Sequence, residues 1–327
     1  MQQKKVKLIN NIKIANYKCF INFEAEEFKR VNLIGGRNNV GKTTFLEACL
    51  LCTSEENGTL YHKLLEIQTH RNLVNTVLRR AERQEELKKL ILDHQNISIT
   101  LNSDKELYIK HVDNKFLVKS PFQKESSLDY NVLYNTLDAN IQYSYMIFTL
   151  SYISAFSDFN EMYNLGISSL KLNNKLHILE GYLTELFGIE KIDYINNEPQ
   201  LYKNGWAKLS SYGQGVKTFI NIMISLLTLE NRPLFIDEIE NGVHYALFDR
   251  MWEIILKISK EKNVQVCATT HSKECIESYS KVSTKLNDDD TAFINLSRNR
   301  EEKIIAITLD AGMLRSELEQ NHEVRAW

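Results

Sequence analysis

The sequence predicts an α/β protein organised around a mostly parallel sheet, and three observations carry that prediction. Strand–loop–helix units occur at both ends of the chain, around Val31–Ile34 and again around Pro233–Ile236 and Val264–Thr269. Six of the twelve glycines (Gly35, Gly36, Gly41, Gly213, Gly215 and Gly242) fall in three short stretches, each beside one of these units or beside a helix. Composition is that of an ordinary globular chain, with 43% hydrophobic and 25% charged residues among 327, which excludes disordered and fibrous classes. Forty basic residues against 42 acidic ones give a net charge of −2. That removes the simplest argument for a bulk nucleic-acid binder, which would show a basic excess.

The elements follow in order. Val6–Ala15 and Phe23–Phe28 read as strands, followed by the apolar strand Val31–Ile34, a glycine loop and a helix over Lys42–Cys52. Thr76–Leu92 has helical periodicity and many charges. Ile97–Leu101, Glu106–His111 and Lys115–Val118 alternate as a small antiparallel meander. Residues 121–140 read as loop or short helices and Met146–Ile153 as a strand. Leu170–Phe187 reads as one amphipathic helix and Val216–Leu229 as another. Strand Pro233–Ile236, helix Trp252–Lys260, and strands Val264–Thr269, Phe293–Leu296 and Ile304–Leu309 complete the chain. Residues 1–54 and 200–327 are thus expected to form one core, with 55–199 an inserted meander and helical lobe.

Cys19, Cys49, Cys52, Cys267 and Cys275 are odd in number and scattered, as reduced thiols are. Cys49-x-x-Cys52 lies inside the first helix and reads as a buried structural pair. No secretory h-region is present. The longest apolar stretch, Phe219–Leu227, is broken by Asn221 and falls short of the ~20 residues that span a bilayer. A cytoplasmic protein is expected.

Gly36-Arg37-Asn38-Asn39-Val40-Gly41-Lys42-Thr43 fits G-x-x-x-x-G-K-[ST] between an apolar strand and a helix. Glycines let backbone N–H groups converge on phosphate oxygens, and the helix N-terminus adds partial positive charge. Lys42 would reach the outer phosphates and Thr43 would ligate Mg²⁺. Pro233–Ile236 ends in Asp237-Glu238, placing two carboxylates where α/β ligands bind. Asp237 would hold Mg²⁺ and Glu238 would polarise the attacking water. Leu209-Ser210-Ser211-Tyr212-Gly213-Gln214-Gly215 precedes a helix and reads as an N-cap or as a second anion site. Asp288-Asp289-Asp290 reads as a solvated turn. In Arg71–Lys89, Arg71, Arg79, Arg80, Arg83, Lys88 and Lys89 interleave with Glu82, Glu85 and Glu86, as on a solvated helix face or a contact surface.

The order of these motifs resembles an ABC-type ATPase head. Ser211 precedes Asp237 by 26 residues, and Val264–Ser272 ends a strand in His271, similar to the switch histidine that contacts the γ-phosphate. Ile12–Phe20 is similar to the opening strand of RecF, SMC and OLD-type heads. Gly36–Thr44 resembles their G-x-N-x-x-G-K-[ST]-[ST] loop, and Asp237–His244 the OLD-like D-E-I-E-N-G-L-H. The serine turn resembles the OLD-like signature more than the transporter L-S-G-G-Q. The resemblance covers residues 8–50 and 200–310. OLD nucleases continue into a TOPRIM domain; the 56 residues after His271 are too few to complete the head and add one. The glutamine loop that senses Mg²⁺ in such heads would be Gln142 or Gln68.

The resemblance implies an α/β P-loop NTPase, an ABC-type head with a mixed sheet, an antiparallel subdomain and a helical insertion. It implies ATP and Mg²⁺, bound by Gly36, Arg37, Asn38, Asn39, Gly41, Lys42, Thr43, Thr44 and Asp237, with Glu238 and His271 catalytic. Ser211 and Gly213 would act in trans, across a homodimer or higher homo-oligomer formed around ATP. Small OLD-like ATPases resemble the ATPase components of two-gene anti-phage systems of the Septu, PARIS or abortive-infection type. The implied partner there is a separate effector protein such as a nuclease. A RecF/SMC-like DNA repair ATPase, with DNA as partner, and a non-hydrolysing ATP-bound scaffold are the alternatives. No membrane partner is implied.

Overall fold

In a computed structural model of the chain, residues 9–53, 96–112, 115–121, 126–129, 151–153 and 160–320 are described, with positions 60, 63, 67, 124 and 324. The chain begins with β1 (Ile12–Tyr17), β2 (Phe20–Ala25), β3 (Val31–Gly36) and α1 (Lys42–Cys52). Then come β4 (Asn96–Leu101), β5 (Lys105–Val112), β6 (Lys115–Lys119), β7 (Ser126–Asp129) and β8 (Tyr152–Ile153). Helices α2 (Asn160–Leu172) and α3 (Leu176–Phe187) lead to β9 (Lys191–Ile195), β10 (Glu198–Tyr202) and β11 (Trp206–Lys208). The C-terminal part runs α4 (Gln214–Thr228), β12 (Pro233–Ile236), α5 (Phe248–Lys262), β13 (Gln265–Thr269), α6 (Lys273–Leu286), β14 (Thr291–Arg298), β15 (Ile304–Asp310) and α7 (Ala311–Glu319).

The central sheet has the order β15-β14-β3-β13-β12-β8. Its pairs are parallel except β14–β15, so the sheet is mixed. The register Ile34↔Thr269 and Ala268↔Ile236 brings the C-terminal ends of β3, β13 and β12 to one edge. A second sheet, β2-β1-β4-β5-β6-β7, is antiparallel; Ile14 of β1 faces Ile99 of β4, so β4–β7 share a sheet with the N-terminal hairpin. Strands β9–β11 form a third.

Successive side chains of a strand point to opposite faces, and the central strands use both. Val31, Leu33, Leu234, Ile236, Val266 and Ala268 join α4, α5 and α6 in one core. Ile34, Phe235, Cys267, Ile294 and Leu296 join α1 and the antiparallel sheet in the other. Helix α1 is enclosed between the sheets: Thr44 through Cys52 are all buried, which its nearly unbroken apolar sequence requires. Its Glu47, buried, is neutralised by Lys18 Nζ at 2.7 Å. Cys49 and Cys52 are free, buried thiols, and burial raises the pKa of both.

Several expectations shift. The helix expected over Leu170–Phe187 is two, because Asn174 takes a left-handed φ of 55° and Lys175 N–H closes onto the Leu170 carbonyl. The first hairpin turns at Lys18, also left-handed (φ 53°), so β2 begins at Phe20 rather than Phe23. Ser126–Asp129 is a strand within the expected loop. Helices α6 and α7 were not expected. The Thr76–Leu92 helix lies outside the described residues.

The Asp288–Asp290 turn is not simply solvated. Asp288 is buried against the guanidinium of Arg30, itself buried, and Asp290 Oδ1 accepts the Arg30 N–H at 3.0 Å. Arg30 Nη1 also donates to the Leu256 carbonyl at 3.1 Å and to Ser259 Oγ. One side chain thus ties the start of β3 to α5 and to the start of β14. Removing one partner of a buried ion pair leaves an uncompensated charge, so Arg30→Ala is expected to cost about 3–5 kcal/mol. Urea unfolding followed by circular dichroism checks it; an unchanged midpoint would show the pair to be dispensable.

Candidate functional site

The edge formed by the ends of β3, β12 and β13 gathers most of the residues singled out from the sequence. Strand β3 is buried along its whole length and ends in Gly36. Gly36 has φ 138°, and a Cβ there would sit 2.3 Å from the Leu296 carbonyl oxygen, so only glycine fits. The chain then curls through the exposed Arg37, Asn38 and Asn39 and the buried Val40 into α1.

Lys42 folds back into this loop. Its Nζ donates to the carbonyls of Gly36 (2.7 Å) and Arg37 (2.9 Å). Burial pushes its pKa down to about 8, against the opposing pull of Asp237, Glu240 and Glu238. A cation whose hydrogen-bond partners among the described residues are two carbonyls, in a desolvated place, is poised for an anionic ligand. Thr44, the last loop residue proposed, is buried in the first turn of α1.

Thr43 and Asp237 meet. Thr43 Oγ1 donates to the Asp237 carboxylate at 3.0 and 3.1 Å, and Thr269 Oγ1 donates to Asp237 Oδ1 at 2.7 Å. Asp237 is 9% exposed, and desolvation raises its pKa while the two threonine hydroxyls lower it. These are hard oxygen donors side by side, and among the described residues the carboxylate has no ion-pair partner in contact, so the pair fits a Mg²⁺ ion. Among the described residues no group of three or more His, Cys, Asp or Glu side chains forms a metal cage. Phosphate oxygens and water would complete such a coordination sphere.

Glu238 occupies a left-handed backbone conformation, φ 53°, which costs a non-glycine residue free energy that its surroundings must offset. Thr269 supplies the constraint: its hydroxyl accepts the Glu238 N–H at 2.8 Å and its carbonyl the Ile239 N–H at 3.0 Å. The twist throws the Glu238 carboxylate out of line with Asp237 and towards His271, whose Nε2 lies 3.6 Å from Glu238 Oε1. Both side chains are partly exposed.

Glu240 had no role in the sequence reading, although it stands in the quoted D-E-I-E stretch. Its Oε1 accepts the main-chain N–H of His271 at 2.5 Å and of Ser272 at 3.2 Å. Spacing could have flagged it, since a two-residue step from Glu238 around a tight turn returns to the same edge. His244, at the end of that motif, only caps a short turn by accepting the Ala246 N–H at 3.3 Å and lies against Tyr245.

The serine turn takes another position. Ser211 Oγ donates to the Lys208 carbonyl at 2.6 Å, and Gly213, not a serine, is the N-cap of α4, with no side-chain hydrogen bond closing its first turn. Ser211 and Gly213 are exposed. Gly215 lies against Gly242, where a Cβ would come within 2.3 Å of the Gly242 oxygen, and Thr218 Oγ1 donates to the Asn241 carbonyl at 3.0 Å. The turn is therefore bound to the loop that follows Glu238. Gln68, Gln142 and the Arg71–Lys89 segment lie outside the described residues. Among the described residues no helix is long and apolar enough to cross a membrane.

Comparison with known proteins bears on the fold and the family. The chain is 25% identical over 323 residues to a Helicobacter pylori (strain ATCC 700392 / 26695) protein named ATP/GTP phosphatase, covering 83% of this chain and 87% of the relative. In fold it is similar to an Smc head bound to the C-winged helix domain of ScpA (TM-score 0.54, 14% identity, 93% of this chain and 98% of that one). It is similar also to an Smc head with an extended coiled coil, bound to the C-terminal domain of ScpA derived from Pyrococcus furiosus (TM-score 0.51, 11% identity, 96% and 99%). The fold is that of an SMC-head, ABC-like P-loop ATPase. Residues 31–277 match the family described as "AAA domain, putative AbiEii toxin, Type IV TA system". The chain belongs to that family and is an ATPase of the AAA-domain kind.

Proposed function

We propose that this ATPase closes around ATP as a homodimer, or as a higher homo-oligomer built of such pairs, and uses hydrolysis to hold or release a separate effector protein, such as a nuclease in an anti-phage system. The observation that carries the nucleotide site is the Thr43–Asp237–Thr269 node beside a Lys42 turned into its own loop. Triphosphate oxygens replace the Gly36 and Arg37 carbonyls as partners of Lys42. The loop N–H groups from Gly36 to Thr44 and the α1 N-terminus line the rest of the phosphates. Thr43 and Asp237 would hold Mg²⁺, which would supply charge neutralisation for the transferred phosphoryl group. Glu238 accepts the proton of the attacking water, and His271 contacts the γ-phosphate and orients Glu238.

Ser211 and Gly213 cap the γ-phosphate of the opposite protomer. Their exposure, and an α4 N-terminus without a side-chain cap, suit an anion arriving from outside the chain. Likeness to Smc heads supports pairing, and the family description, which names a putative AbiEii toxin of a type IV TA system, favours a role linked to such a two-component system over DNA repair. The relative named as an ATP/GTP phosphatase makes GTP the first competing nucleotide to compare.

Three outcomes are expected. Glu238→Gln retains ATP binding but lowers kcat by about 10²–10⁴-fold, the usual contribution of a general base; turnover at the wild-type rate would assign the base elsewhere. Ser211→Arg leaves ATP affinity of the protomer unchanged and abolishes ATP-dependent dimers in light scattering; dimers that persist would overturn the trans role. Because burial holds the Lys42 pKa down to about 8 and a bound phosphate would raise it, ATP binding at pH 8 is expected to take up roughly half a proton per site. Affinity then falls as pH rises above 8. Calorimetry in buffers of different ionisation enthalpy measures this, and zero uptake at pH 8 would place the phosphates away from Lys42.

A further inference from the structure

Two groups proposed for hydrolysis, Glu238 and His271, sit on different elements, yet their side chains approach to 3.6 Å. Something must fix one loop against the other. The His271 main chain is anchored on one side by β3, where Thr270 N–H donates to the Ile34 carbonyl at 3.0 Å. On its other side the anchor is a carboxylate: Glu240 Oε1 accepts both the His271 and the Ser272 N–H. Ser272 is the N-cap of α6, its hydroxyl accepting the Cys275 N–H at 3.0 Å, so Glu240 grips the start of that helix.

Glu240 and Glu238 leave the same tight turn. Asn241 N–H donates to the Glu238 carbonyl at 2.8 Å and Val243 N–H to the Glu240 carbonyl at 2.9 Å. The turn therefore presents Glu238 outward and Glu240 inward as one unit. The second oxygen, Oε2, is buried with no hydrogen-bond partner among the described residues. An unpaired buried carboxylate oxygen costs stability, so packing alone would favour a neutral acceptor. What Oε1 supplies is an acceptor for two adjacent N–H groups, which defines an orientation rather than a single tether.

We infer that Glu240 is a positioning residue for ATP hydrolysis: it sets the His271 backbone so that the imidazole faces Glu238. This rests on the roles proposed for Glu238 and His271. Glu240 touches neither nucleotide nor water in the inferred mechanism and acts only through His271.

Steady-state ATPase kinetics of Glu240→Ala, Glu240→Asp, Glu240→Gln, His271→Ala and the Glu240→Ala/His271→Ala double variant test it, with thermal unfolding run in parallel. Glu240→Ala and Glu240→Asp, which removes or withdraws the acceptor, are expected to lower kcat by about tenfold with KM for ATP within about twofold. Glu240→Gln keeps an acceptor oxygen in place and is expected to retain most of kcat. In the His271→Ala background, Glu240→Ala should add less than about a twofold loss. Should Glu240→Ala not fold, Glu240→Asp against Glu240→Gln carries the same contrast. Wild-type kcat in Glu240→Ala or Glu240→Asp, or losses that multiply in the double variant, would overturn the inference. A silent His271→Ala would instead overturn the proposed role of His271 itself.

Discussion

Asp237 accepts hydrogen bonds from two threonine hydroxyls, one on the helix that follows the phosphate loop and one on the neighbouring strand. Three elements from distant parts of the chain are indexed to each other through that one carboxylate. Its desolvation is tolerated because both hydroxyls point at it, and a buried carboxylate without them would protonate or move. Thr269 does more than neutralise. The same hydroxyl accepts the Glu238 N–H and so holds the left-handed turn that separates the two acidic side chains. The roles proposed for the two carboxylates, ion holding and water activation, need different placements, which adjacent residues on a regular strand end would not have.

The surroundings make the node rigid. Both faces of the central sheet are covered, α1 is buried almost all round, and the Arg30–Asp288 pair pins the opposite end of β3. Lys42 alone keeps a labile arrangement, its ammonium resting on two carbonyls that it can exchange for a stronger anion. The loop is thus preformed, with little reorganisation left for the moment of binding.

Much of this was legible in the chain. Pro233–Ile236 could be read to the residue because an apolar run bounded by proline and two acids has only one place in an α/β sheet. The helix over Lys42–Cys52 followed from its loop. The break at Asn174 was not legible, since amphipathic periodicity runs on through it and only the αL tolerance of asparagine hints at a stop. Nor was the burial of Asp288, because a run of three aspartates looks solvated until Arg30, 258 positions away, is folded against it. The left-handed Glu238 and the grip of Glu240 depend on hydrogen bonds to β13 and its turn, which no local pattern encodes. Candidate residues were therefore found more readily than the contacts that orient them.

The meeting of Gly215 with Gly242 has a mechanical consequence. Two main-chain segments touch there with no side chain between them, so no rotamer can absorb a displacement. A displacement of the exposed serine turn therefore bears directly on the segment that carries Glu238, and a shift of that segment bears on the turn. The serine turn and the loop after Glu238 thus move as one piece, joined through a main-chain contact rather than through interlocking side chains.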